Sequence, residues 1–138
     1  MNLKKNFAVP TLLVLMMALP AWGLDMVPGK YEITASVEMP GMPGSPPQTT
    51  VQCLDDQAPV PNASAAAQGC KVKDMQTKGN TVTYTMECDQ QGMKLQINGE
   101  IHYRGDAFEG KAQTNMGPEA GGMVITTVIK GKRIGACQ

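Results

Sequence analysis

His102 is the only histidine among 138 residues, so any imidazole relay or imidazole ligand has to use it. It stands between Ile101 and Tyr103 in an alternating apolar–polar run, which puts it on the polar side of a strand. General acid–base work needs a partner within hydrogen-bond reach. No Ser-x-Gly elbow and no free cysteine with a base accompanies it, so a surface histidine without a role is expected. The carboxylates Asp55, Asp56, Asp74, Glu87, Asp89, Glu100, Asp106 and Glu109 fall singly on turns and outward strand positions, as solvated charges do. A pair acting on sugars would also want aromatic platforms, and few aromatics are present. No set of residues fills the roles of nucleophile, base and oxyanion donor, and no enzyme is expected.

Methionine is the unusual component, at 11 residues. Met39 and Met42 lie in a Met-Pro-Gly-Met-Pro stretch, where two thioethers suit a soft ion such as Cu(I). Such a site gathers more ligands than these two, and methionine also fills gaps in cores poor in aromatics. Copper binding through Met39 and Met42 is therefore the alternative reading, and no cofactor is expected. Arg104-Gly105-Asp106 matches an adhesion tripeptide but is ordinary turn chemistry, and Asn62-Ala63-Ser64 matches a glycosylation sequon.

Four cysteines, Cys53, Cys70, Cys88 and Cys137, complete the reactive inventory. No C-x-x-C spacing exists, which argues against a zinc or dithiol redox site. An even number in a small exported chain implies two structural disulfides. Three pairings are open. The reading leans to Cys53–Cys70, closing the intervening loop, and Cys88–Cys137, tying down the C-terminus.

These residues must be positioned by strands. Tyr31, Ile33, Ala35, Val37 and Met39 are apolar and alternate with Glu32, Thr34, Ser36 and Glu38, the period of a half-buried strand. Residues 40–47 are rich in proline and glycine and must form a loop. Gln48 to Leu54 returns as a second strand, and Asp55 to Gly69 is a loop in which Asn62 to Gln68 suits a helical turn. Cys70–Thr77 and Thr81–Cys88 flank a Lys78-Gly79-Asn80 turn, a hairpin signal. Met93, Leu95, Ile97, Ile101 and Tyr103 mark a fifth strand; Phe108, Ala112 and Thr114 mark a sixth. Met123 to Ile129 is a β-branched run that suggests burial on both faces. The expected fold is all-β: a single antiparallel meander of about seven strands forming a small barrel, half-barrel or sandwich, stapled by disulfides. Alternating strand directions would put Cys53, Cys70 and Cys88 at one end of its inner face.

Residues 1–23 lie outside this pattern. Lys4 and Lys5 precede an apolar run from Phe7 to Leu19, and Ala21-Trp22-Gly23 offers small residues for cleavage after Gly23. The run is short for the roughly 20 residues of a membrane span. A signal peptide over 1–23 and one domain over 24–138 are expected, in the periplasm or outside the cell, with membrane contact only through the leader. The formal charge of the chain is zero, which does not suit nucleic acid.

Pro28-Gly29-Lys30-Tyr31-Glu32, Met39-Pro40-Gly41-Met42-Pro43, Gln52-Cys53, Cys70, Cys88, Gly99 through Gly110 and Gly131 through Cys137 follow one another in an order that resembles a family of small bacterial exported proteins, domain of unknown function 3617. The family commonly has Trp where this chain has Tyr31, and often Asp where it has Ala136. The resemblance implies an exported β-protein with paired cysteines and carries over no activity or catalytic residue. The expected role is a binding module, for a small apolar molecule or for an envelope protein. The apolar site would be lined by Ile33, Val37, Leu95, Ile97 and Ile101, because small barrels can hold one ligand.

Overall fold

The computed structural model describes residues 23–61 and 69–138. The leader read over 1–23, Gly23 apart, lies outside the described residues, as does the helical turn read over 62–68. Seven strands are present: β1 (Gly29–Glu38), β2 (Gln48–Leu54), β3 (Cys70–Lys78), β4 (Thr81–Gln90), β5 (Met93–Arg104), β6 (Ala107–Asn115) and β7 (Val124–Gly135). A single turn of 3-10 helix, Pro118–Ala120, sits between the last two. All six pairings are antiparallel, in one sheet of order β2-β1-β7-β6-β5-β4-β3. The expectation of an all-β, antiparallel fold of about seven strands is borne out, and the strands form one sheet.

The order contains one departure from a simple meander. β3 to β7 follow one another, but the β1–β2 hairpin attaches through β1 to the last strand. Long-range pairing of the first strand with the last leaves β2 and β3 as the two edges. They share no contact among the described residues, so the sheet does not close through them. With directions alternating along the sheet, β2 and β3 run the same way. The chain must therefore travel the length of the sheet between Leu54 and Cys70, and a hairpin cannot do it.

Local chemistry explains the hairpins. Gln91 and Gly92, between β4 and β5, both have positive φ (52° and 81°), the twist that a two-residue turn requires to match its strands. Residue alternation then assigns one face to the core. Tyr31, Ile33, Val82, Tyr84, Met86, Ile97, Ile101, Tyr103, Phe108 and Ile129 are buried on this inner face, together with Met26 and Leu54. The outer face carries Glu32, Thr83, Glu87, Glu100, His102, Glu109 and Lys130, all exposed. β7 differs from its reading. Val124 is exposed and Ile125 to Val128 are half-buried, so its β-branched run is not covered on both sides. Its outer positions face water because no second layer packs there.

Large rings fill the inner face because small residues lie beneath them. A Cβ on Gly131 would lie inside the ring of Phe108, and one on Gly99 inside the ring of Tyr84. Phe108 also sits between Tyr31 and Tyr103, with ring centroids 5.6 and 5.2 Å away. Such tilted aromatic contacts add to area burial.

The disulfides join Cys53 to Cys137 and Cys70 to Cys88. This corrects the leaning towards Cys53–Cys70 and Cys88–Cys137, and the reason is topological. Cys53 is the last residue but one of β2 and Cys70 begins β3, so the two lie at opposite ends of opposite edges. Cys53 is opposite Lys30 of β1, and Lys30 is opposite Gly135 of β7, which brings the C-terminal Cys137 within reach. Cys70 and Cys88 are register partners on neighbouring strands.

Candidate binding site

The inner face has two ends with different cover. At one end lie Tyr31, Tyr103 and Phe108, and chain segments close over them. Asp25 and Val27 exchange backbone hydrogen bonds with Gly105 at 2.9 and 3.0 Å, pinning the N-terminal segment beside the β5–β6 turn. The Tyr31 hydroxyl donates to the Val27 carbonyl at 2.6 Å. The Tyr103 hydroxyl donates to the Pro59 carbonyl, and Pro59 and Pro61 are fully buried, so the first part of the β2–β3 connection lies over this end. Burial raises both phenols above their ordinary range: for Tyr103 desolvation leads, with Tyr31 and Tyr84 adding to it, and for Tyr31 desolvation outweighs the opposing Arg133 charge.

The other end is less covered. Register places Val37 opposite Thr127, Thr127 opposite Ala112, Ile97 opposite Thr114, and Thr114 opposite Ile125. Ala112 and Ile97 are buried, but Val37, Leu95, Thr114, Ile125 and Thr127 are only half-buried. One step further out, the Met116 amide donates to the Met123 carbonyl at 3.0 Å, and Met123 is exposed. Met39 continues the inner-face alternation of β1 just beyond its end. The uncovered end thus presents aliphatic side chains with methionines at its rim.

The five residues expected to line an apolar site divide between the two ends. Ile33 and Ile101 are 1% and 0% exposed and belong to the packed core. Val37, Leu95 and Ile97 lie towards the open end. Ile125, Thr127, Met116 and Met123 share that end and were not expected there. The double-burial reading of β7 concealed Ile125. Leu95 also touches a cleft of about 740 Å3. The other lining residues of that cleft include Lys71, Lys73, Glu87, Asp89 and Lys94, charged side chains that include outer-face positions, so it is distinct from the inner-face row.

Met39 and Met42 share one turn, in which the Met42 amide donates to the Met39 carbonyl at 3.3 Å. Met42 is 54% exposed. Among the described residues no three His, Cys, Asp or Glu side chains are grouped to hold a metal ion.

His102 is exposed, as its alternation requires, but it is not without partners. Its Nδ1 is 2.9 Å from Thr81 Oγ1, and its Nε2 is 2.7 Å from Glu100 Oε1. The partners come from register: Thr81 is directly opposite on β4, and Glu100 is two residues back on the same face. A hydroxyl, an imidazole and a carboxylate in series have the composition of a proton relay. The His102 and Glu100 side chains are about half exposed, so bulk water competes with each bond. Other carboxylates are engaged locally: Asp55 accepts from the Gln57 and Ala58 amides, Glu87 pairs with Lys73, and Glu109 pairs with Arg104. Arg104-Gly105-Asp106 is the β5–β6 turn, with Gly105 held by the N-terminal segment.

A family model described as a protein of unknown function (DUF3617) matches residues 26–137. No curated protein and no solved structure matches the chain.

Proposed function

The chain belongs to the DUF3617 family of proteins of unknown function, and from that premise we propose that it is an exported, non-catalytic binding module for a small apolar molecule held at the open end of its inner face. The observation that carries this reading is the half-buried row Val37, Leu95, Ile125 and Thr127, rimmed by Met39, Met116 and Met123. A core position would be fully covered, and a solvent position would be polar. Mainly aliphatic side chains in a partly covered place, edged by adaptable thioethers, are the composition of an apolar ligand site. Export is supported by the leader-like residues 1–23, by two disulfides, and by a family match that begins after that leader.

Titration with cis-parinaric acid, an acyl chain whose fluorescence rises in apolar surroundings, tests the reading. Saturable binding of one molecule per chain is expected, with loss in Leu95→Glu while the circular dichroism stays unchanged. Equal binding by wild type and Leu95→Glu, or none by either, would overturn it.

A further inference from the structure

The two edges of the sheet are built differently. β3 carries Lys71, Lys73, Asp74 and Lys78, and its register shifts between Val72 and Asp74. Charges and a bulge are the usual devices that stop an edge strand from pairing with another chain. β2 has neither. Its sequence, Gln-Thr-Thr-Val-Gln-Cys-Leu, contains no charge, proline or glycine, and its register with β1 runs unbroken from Leu54 to Gln48. Every second residue of an edge strand turns its amide and carbonyl away from the sheet, so β2 offers a straight ladder with no guard.

We infer that β2 pairs antiparallel with β2 of a second copy, giving a two-fold dimer with one continuous sheet of both chains. Val51 is the central residue of the seven and is 56% exposed on the outer face. A two-fold axis there sets Val51 against Val51 of the other copy, Thr50 against Gln52, and Thr49 against Cys53. No like charges meet within this ladder, and an exposed aliphatic side chain is covered from both sides. The nearest like charges are the two Glu32 side chains, since Glu32 is the β1 partner of Val51. They stand three strand spacings apart, about 14 Å, beyond the roughly 8 Å over which physiological salt leaves charges unscreened. The same operation on β3 would set Asp74, its central residue, against Asp74 of the other copy, a like-charge pair on the axis. The contact is isologous and closes on itself, so it yields dimers rather than fibres. It is independent of any ligand at the inner face.

Sedimentation equilibrium of the full exported chain tests the inference over a wide concentration range. Wild type should move from protomer mass to twice that mass as concentration rises. Val51→Lys, which places a like-charge pair on the axis, should weaken the dimer by at least about tenfold. Val72→Lys, on the other edge, should leave it intact. A second readout needs no variant: amide exchange of residues 48–54 should slow at high concentration while that of 70–78 does not. A wild type that stays at protomer mass throughout, or a dimer that Val51→Lys leaves unchanged, would overturn the assignment.

Discussion

The Tyr103 hydroxyl donates to the carbonyl of Pro59, 44 residues earlier, so the connection between the two edge strands is tied to the middle of the sheet by one buried bond. This relationship explains how a sheet with one layer covers half of its inner face. β2 and β3 run in the same direction on opposite edges, and the chain between them has to cross. Its first residues pass over Tyr103, where Pro59 and Pro61 take the place a second sheet would occupy. Tyr103→Phe keeps the ring and leaves the Pro59 carbonyl buried without its donor. The expected loss is about 1–3 kcal/mol, measured as a lower urea midpoint with an unchanged slope.

The same burial sets an alkaline limit. Tyr103 and Tyr31 have folded-state pKa values raised above 10.0, with desolvation as the leading cause in both. The folded protein keeps phenolic protons that the unfolded chain gives up. Stability is therefore whole below a pH of about 10 and falls as pH rises beyond it. Absorbance of ionised tyrosine should lag behind that of a denatured control and then rise together with unfolding. Early, non-cooperative ionisation of all the tyrosines would contradict this.

Gly131 has its place because Phe108 lies over it. Gly131→Ala should force the ring off its contact with Tyr31 and Tyr103, at a cost of about 1–3 kcal/mol or more. Thermal unfolding would show this directly. Gly135→Ala, where a Cβ meets nothing within 4 Å, should cost far less.

The disulfides predict a peptide map and an order of importance. Non-reducing digestion should give fragments joining Cys53 to Cys137 and Cys70 to Cys88. The sequence separations are 84 and 18. On loop-closure entropy alone, replacing both cysteines of the longer bridge by Ala should cost about 1 kcal/mol more than doing so for the shorter. Equal losses in denaturant melts would show that strain or residual structure in the unfolded chain outweighs loop length.

Much of this fold was legible in the residues, and most of what was not depends on pairing between strands. Alternation over Tyr31–Met39 and over Val82–Cys88 marked strands and their buried sides, because period two is a local property of the backbone. The pairing of β1 with β7 joins residues about a hundred positions apart and leaves no local trace. The Cys53–Cys137 bridge follows from that pairing, whereas Cys70–Cys88 follows from the local register of the β3–β4 hairpin, which the reading did not use to pair them. Gly99 and Gly131 gain meaning only from rings on neighbouring strands. Of the five residues read as an apolar lining, alternation correctly put all on the inner face but could not separate the packed Ile33 and Ile101 from the half-buried Val37 and Leu95. Ile125 was missed because a β-branched run looks the same whether one face or both are covered. Glu100 and His102 share a face by simple alternation, but Thr81 joins them only through the hairpin register.

An apolar ligand at the open end of the inner face would travel with the purified protein. Native mass spectrometry of the protein, purified gently from its own cells, reads such a ligand as added mass. The expected result is a discrete extra mass on the chain, extractable into organic solvent and absent from Leu95→Glu. A bare protein mass from repeated preparations, or an adduct that Leu95→Glu retains, would contradict it.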